Sequence, residues 1–351
     1  MDLALVNFTG VLRLIDNPLL EYCLGTYSIK SNTFINQYKI IPFCVTNWEV
    51  PYLKTLSKAK SSFIEDCSYN FRNTLRTLGS ELYIFRSYKD SLSLLDKYQP
   101  SAYITRASIH LPDRGETSNY KSIFKKKYIE VSGSWNSIDL VKVLNSIAGY
   151  TAREIPYDTL SDILNNPIVF RKPSYCNGTS FIEVNTEPEE AKYKNKGRKE
   201  ALTHLATLDI NQPLDVGKYL ATGVISSREV LQWLINKPFD ERIIELISKI
   251  LRRDLASINI LKNGSLFIKE RTNESSVRFL KLLSLNSEDT KVNSILESLM
   301  VSGYLSLNDR IELVKFFKAK EIPLFFLKLL LEAYLLDFNP FITDYSIYLN
   351  L

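Results

Sequence analysis

The chain has 351 residues, 45% of them hydrophobic, which is ample for a packed core and suits two domains better than one. Its 44 Lys and Arg against 39 Asp and Glu leave a formal charge of +5, mild enough to permit a nucleic-acid or acidic partner without requiring one. Four cysteines (Cys23, Cys44, Cys67, Cys176) without CxxC spacing, and two histidines (His110, His204) outside any HExxH pattern, argue against a disulfide framework and a zinc site. The longest apolar stretch, IPLFFLKLLLEAYLL, is broken by Lys328 and Glu332 and is too short to span a bilayer. No signal-peptide pattern opens the chain, so the expectation is a soluble cytoplasmic protein without membrane contact.

In chain order, LALVNF, YKIIPFCV, ELYIF, SAYITR and YIEVSG read as buried strands, each bounded by polar or turn residues. Between them PLLEYCLG, SFIEDCSYNFRNTLRTLG and SIDLVKVLNSIAG read as helices, each closing on a glycine (Gly25, Gly79, Gly149). Alternation of this kind predicts right-handed crossovers and a doubly wound parallel sheet over about residues 1–150. Residues 151–196, rich in Pro, Asn, Ser and charge, read as an interdomain linker with a strand-like piece or two. Over 197–351 the segments RKEALTHLATL, SSREVLQWLI, DERIIELISKILRRDLASI, SVRFLKLLSL, VNSILESLMVSGY, LNDRIELVKFFKAK and PLFFLKLLLEAYLL carry apolar residues at three- and four-residue spacing. They predict an all-helical bundle. The fold class is thus α/β followed by all-α.

The first strand runs into LRLIDNPLL. Asp16 or Asn17 can cap the amides of the following helix, Pro18 suits its first turn, and Arg13 is placed to pair with Asp16 or a neighbouring loop. This reads as a well-capped strand-to-helix corner. The same stretch resembles the amino-terminal signature of the photolyase/cryptochrome family. Further pieces follow in the family's order: NFRNTLRTLGSELYIFRS, GRKEALTHLATL, YLATGVISSREVLQWL and VNSILESLMVSGYLSLNDRIELVKFF. The resemblance implies a photolyase-like antenna domain followed by a helical domain that, in working members, holds FAD.

Carried over residue by residue, the resemblance implies a flavin site that is largely lost. The phosphate loop falls on Pro213–Leu220, where the family's hydroxyl donors are absent and Asp215 would face the pyrophosphate with its own charge, partly offset by Lys218. The Trp-Arg-Glu element falls on Arg252-Arg253-Asp254. The His-Asn-Arg triplet falls on Ser306-Leu307-Asn308, or, slipped by one, uses Asn308 as its Asn with Arg310 beyond. The two acids near the ring fall on Glu332 and Tyr334; alternatively DFNPF matches a Phe-Asn-Pro beyond that stretch, whose intervening part is then deleted. Tryptophans, which generally relay electrons in the family's helical domain, number three here (Trp48, Trp135, Trp233), none of them after residue 233. The expectation is therefore no cofactor. FAD held by Lys218, Tyr219, Arg253 and Asn308 is the alternative.

Other chemistry is poorly supported. Neither GxGxxG nor GxxxxGK[ST] follows the first strand, and Ser108, His110 and Asp113 are sequence neighbours without a nucleophile elbow. The switch-point crevice of the sheet is a place for an antenna chromophore. Basic runs with nearby aromatics occur at YKSIFKKKY, KYKNKGRK, KILRRD and VKFFKAK, and such mixtures can track a phosphate backbone. They single out Lys125, Lys126, Lys127, Arg252, Arg253, Lys315, Lys318 and Lys320 as candidate nucleic-acid contacts. The function expected is a non-catalytic binding or scaffold subunit, on DNA or with a protein partner in a repair or replication assembly. The alternatives are a divergent FAD-binding photolyase or photoreceptor, and an interaction module for an acidic protein.

Overall fold

The computed structural model describes residues 2–24, 26–28, 33–35, 38–50, 52–106, 116–131, 181–184, 197–207, 216–238, 241–243, 246–247, 250 and 273–337. The helix expected over 137–149 and the later part of that over 240–258 lie outside them.

Five strands form one parallel sheet: β1 (Asp2–Asn7), β4 (Tyr38–Val45), β5 (Tyr83–Phe85), β6 (Ala102–Arg106) and β7 (Tyr128–Val131), in the order β5-β4-β1-β6-β7. A two-stranded antiparallel ribbon, β2 (Thr26–Ser28) with β3 (Thr33–Ile35), stands apart from it. Because β1 has β4 on one side and β6 on the other, the winding direction reverses at its carboxyl end, which is where such sheets open a crevice. Alternation along the strands sorts the core. Ala4 and Val6, Ile40 and Cys44, and Ala102 and Ile104 enter one apolar cluster, while Leu5, Ile41, Phe43, Val45 and Tyr103 enter the other.

Around the sheet lie α1 (Pro18–Leu24), α2 (Lys58–Thr77), α3 (Tyr88–Ser91), α4 (Ser93–Tyr98) and α5 (Glu116–Phe124). A 3₁₀ turn, Lys125–Lys127, joins α5 to β7. Helices α3 to α5 are not apparent from apolar spacing: α3 and α4 are too short to show a period, and α5 is mostly polar. The expected linker contributes Phe181–Val184, which docks on the sheet: Ile182 N–H donates to Ile40 O at 2.9 Å, and the Ser80 hydroxyl to Ile182 O at 2.7 Å.

The further helices with described bounds are α6 (Arg198–Thr207), α7 (Gly217–Thr222), α8 (Ser227–Ile235), α9 (Asn273–Leu283), α10 (Thr290–Ser302), α11 (Leu307–Ala319) and α12 (Leu324–Tyr334), and the described residues 241–243, 246–247 and 250 are also helical. Local chemistry sets several starts. Ser226 and Glu229 form a capping box on α8, Asp289 caps α10 through the amides of Lys291 and Val292, and Ser306 caps α11 through that of Asp309. Helices α6 to α8 complete the first apolar cluster and α9 to α12 the second, so the two faces of the sheet continue into different helices. Among the described residues, no helix is long and apolar enough to cross a membrane.

Candidate functional site

The loop after β1 carries a buried polar network. Asn17 Oδ1 accepts from the amides of Leu19 and Leu20, capping α1, and its Nδ2 donates to Arg13 O at 2.6 Å. Arg13 donates from Nε and Nη2 to the backbone oxygen of Asp16, at 3.2 and 2.8 Å, and from Nη1 to Gly223 O at 2.9 Å. The Asp16 carboxylate turns instead to Arg228 of α8, at 2.5 Å. Arg13, Asp16 and Arg228 are 4%, 2% and 4% exposed, so the loop of the sheet is locked to the α7–α8 turn out of water. Burial pushes the Arg13 guanidinium down to about 10, while Asp16 and Glu229 pull it back. It is charged at neutral pH, and the corner is structural.

A second corner surrounds the start of α7. Gly217 lies so close to Asp337 that a Cβ on the glycine would sit 2.6 Å from that of the aspartate. Asp337 Oδ2 accepts from Arg310 at 2.8 Å, whereas its Oδ1 is buried without a hydrogen-bond partner. On the next turn Tyr219 is buried, its ring 6.0 Å from Phe63 and 5.9 Å from His204, and the Lys218 ammonium stands 5.0 Å from the Tyr219 ring centre. Glu200 Oε2 and His204 Nε2, one turn apart on α6, are also buried without hydrogen-bond partners. The Arg310–Asp337 pair was not legible in the sequence. Its members are 27 residues apart, and Asp337 sits in the DFNPF stretch read only as a possible Phe-Asn-Pro match.

Of the expected cofactor contacts, Lys218 and Tyr219 sit together in this corner. Asn308 is exposed on the first turn of α11, and Arg253 lies outside the described residues. Ser306, in the His-Asn-Arg position, caps α11. Glu332 is fully buried, and its Oε1 accepts from Trp48 Nε1 at 2.9 Å; Lys60 Nζ donates to its backbone oxygen at 2.6 Å. Of the expected phosphate loop, residues 213–215 lie outside the described residues. Among the described ones, Gly217 faces the Asp337 carboxylate, Arg310 is paired to that carboxylate, and Lys218 stands over an aromatic face, a set that by itself fits a pyrophosphate poorly.

At the switch point between β1 and β6, the polar groups bond to one another. Thr9 donates its amide and hydroxyl to Asn7 Oδ1, and the hydroxyl in turn accepts from Val45 N–H at 2.9 Å.

The candidate nucleic-acid contacts fall in two places, with Arg252 and Arg253 outside the described residues. Lys125, Lys126 and Lys127 are exposed on the 3₁₀ turn. Lys315, Lys318 and Lys320 are exposed on α11 and its cap, but Lys315 pairs with Glu312 at 3.2 Å and Lys320 with Glu288 at 3.1 Å. Lys291 also pairs with Glu312, and hydrogen bonds from Lys291 and Lys315 hold that carboxyl below its ordinary value. The surface groove there, about 550 Å³, is lined by Glu288, Asp289 and Glu312 against Lys315 and Lys320.

No family model matches the chain, and no curated protein sequence matches it. Solved structures do. A cryptochrome from Synechocystis sp. superposes with a TM-score of 0.66 at 14% identity, covering 99% of this chain and 80% of that one. A bacterial class III photolyase from Agrobacterium tumefaciens gives 0.62 at 14% identity, over 100% and 79%. An archaeal photolyase from Sulfolobus tokodaii, whose structure contains two FAD molecules, gives 0.56 at 18% identity, over 99% and 82%. The chain therefore has the photolyase/cryptochrome fold, a parallel α/β sheet followed by helices.

Proposed function

We propose that the chain is a degenerate member of the photolyase/cryptochrome family that works without FAD, as a DNA-binding or scaffold subunit in a repair or replication assembly of the cytoplasm. In this reading the parts are an α/β domain over 1–150, a linker over 151–196 and a helical domain over 197–351. The observation that carries it is the contact of Asp337 with Gly217. A carboxylate, with one oxygen paired to Arg310 and the other buried and unbonded, stands against Gly217 inside the stretch matched to the family's phosphate loop, where it takes up space and opposes the charge of a pyrophosphate. The exposure of Asn308 and the capping role of Ser306 support the same reading. The test is the absorption spectrum of the purified protein before and after incubation with excess FAD. A protein-only spectrum after desalting is expected; a stoichiometric flavin band overturns the proposal.

The same buried Asp337 oxygen favours one second reading. An acceptor without a partner suits an N–H donor such as a flavin ring carries, and so supports a divergent flavoprotein photolyase or photoreceptor. Retained FAD, lost in Asp337→Leu, together with light-dependent repair of damaged DNA, is the result that establishes it.

A further inference from the structure

Lysine is abundant in both halves of this protein, but its neighbours differ. On α11 and its cap, two of the three lysines, Lys315 and Lys320, are each held by a glutamate about 3 Å away, while Lys318 between them is exposed and forms no ion pair among the described residues. The groove they border carries more acid than base. On the sheet-bearing part, Lys125, Lys126 and Lys127 are exposed and, among the described residues, their side chains form no hydrogen bond or ion pair. Within 120–131 the only acid is Glu130, against four lysines.

The shape of the turn matters as much as its charge. A 3₁₀ turn has about three residues per revolution, so three successive side chains fan out roughly 120° apart and cannot converge on one small anion. They suit an extended polyanion passing the turn, which meets one or two of them at a time. Lys121, one helical turn before Lys125, lengthens the row, its ammonium 5.9 Å from the Tyr128 ring centre. The chemistry favours phosphate over an acidic protein surface. A protein interface needs an apolar centre, and over 120–131 the one exposed large apolar side chain is Ile123, whereas a phosphate backbone needs only charge.

We infer that the chain meets the phosphate backbone of nucleic acid through Lys125, Lys126 and Lys127 on the sheet-bearing part, and not through the lysines of α11. This rests on the DNA-binding reading proposed above.

The experiment compares the full chain with K125Q/K126Q/K127Q and K315Q/K318Q/K320Q. Glutamine removes the charge while leaving a flexible polar side chain, and adds no new strain at Lys125, already at φ +48. Affinity for a labelled random-sequence DNA duplex is titrated across a salt series. Each lost phosphate contact removes about 0.9 from the slope of log affinity against log salt. The first variant is expected to lower the slope by about 1 to 2 and to weaken binding at every salt, with the second close to the parent. A slope lost in the α11 variant and kept in the first overturns the placement while leaving DNA binding standing. No binding by the parent at low salt overturns the DNA-binding reading itself. Polyglutamate bound as tightly as DNA reassigns the turn to an acidic protein and overturns the inference.

Discussion

Arg13 and Gly223 are 210 positions apart in the chain, and the Arg13 guanidinium donates to the Gly223 carbonyl at 2.9 Å. Gly223 closes α7 at φ +72, and a Cβ there would lie 2.1 Å from the backbone oxygen of Gly10. Two requirements for glycine thus coincide, a left-handed backbone and the absence of a side chain. Gly79, at φ +75, meets only the first, with nothing within 4 Å of its would-be Cβ. Gly79→Ala should cost about 1 kcal/mol, the strain of the backbone alone. Gly223→Ala should cost about 3 kcal/mol or more, because the backbone of another segment must move. Urea midpoints of the two variants test this, and equal losses would refute the close approach.

The charges behind that contact make a second test. Asp16 is at φ +53, a conformation that Asn adopts readily, so Asp16→Asn removes the charge and spares the backbone. It leaves Arg13 and Arg228 buried with their shared counter-charge gone. A loss of about 3 to 5 kcal/mol is expected, similar to that of Arg13→Ala, which strands the oxygens of Asp16 and Gly223. An Asp16→Asn protein as stable as its parent would mean that the ion pair contributes nothing net.

Trp48 reports on the other side of the molecule. Its indole donates to Glu332 of α12, with Lys60 and Lys328 buried in the same region. Glu332→Gln keeps an oxygen for Trp48 and should lose about 1 to 3 kcal/mol with unchanged Trp48 emission. Glu332→Leu removes the carboxylate that Trp48 bonds, leaves the backbone bond from Lys60 in place, and should lose more, with Trp48 emission shifted to the blue as its surroundings become apolar. Identical behaviour of the two variants would rule out the hydrogen bond as the tie. The emission is read in a background where Trp135 and Trp233 are phenylalanine.

Cys44 sets a pH dependence. Burial pushes its thiol up to about 12 from 9.0, opposed only by a hydrogen bond with Ser68. Below about pH 9 the thiol is protonated in both the folded and unfolded chain, and the difference contributes nothing to the pH slope. Between about 9 and 12 the unfolded chain has lost that proton and the folded chain keeps it, so stability falls by about 1.4 kcal/mol per pH unit. Burial raises the Tyr38, Tyr83 and Tyr334 phenols as well, which adds to the fall. Denaturant midpoints through this window should decline for the parent and decline less for Cys44→Ala.

Much of the architecture was legible because it is written in local periodicity. YKIIPFCV is β4 to the residue, and LNDRIELVKFFKAK and PLFFLKLLLEAYLL match α11 and α12 within two residues at each end. Runs of apolar residues at spacing two or three to four report which faces must leave water, and that is a property of neighbours in sequence. The DNP corner was equally readable, since Asn17 caps the helix that begins one residue later.

What the sequence by itself determined is therefore the sheet strands and most of the longer described helices, their α/β-then-α order and the chemistry of several of their ends, but not the β2–β3 ribbon or α3 to α5. Which side chains face one another was decided by the tertiary structure alone. Arg13 was expected to pair with Asp16 or a neighbouring loop; it meets the backbone oxygen of Asp16 and that of Gly223, while the carboxylate of Asp16 goes to an arginine 212 positions away. Arg310 meets Asp337 against Gly217, and Glu332 is taken by Trp48. The same holds for charge. The lysines of α11 and of the 3₁₀ turn look alike in sequence, but only the fold brings Glu288 to Lys320 across 32 residues. Coulomb and hydrogen-bond energies depend on distance in space, and for groups on different elements that distance has no signature along the chain.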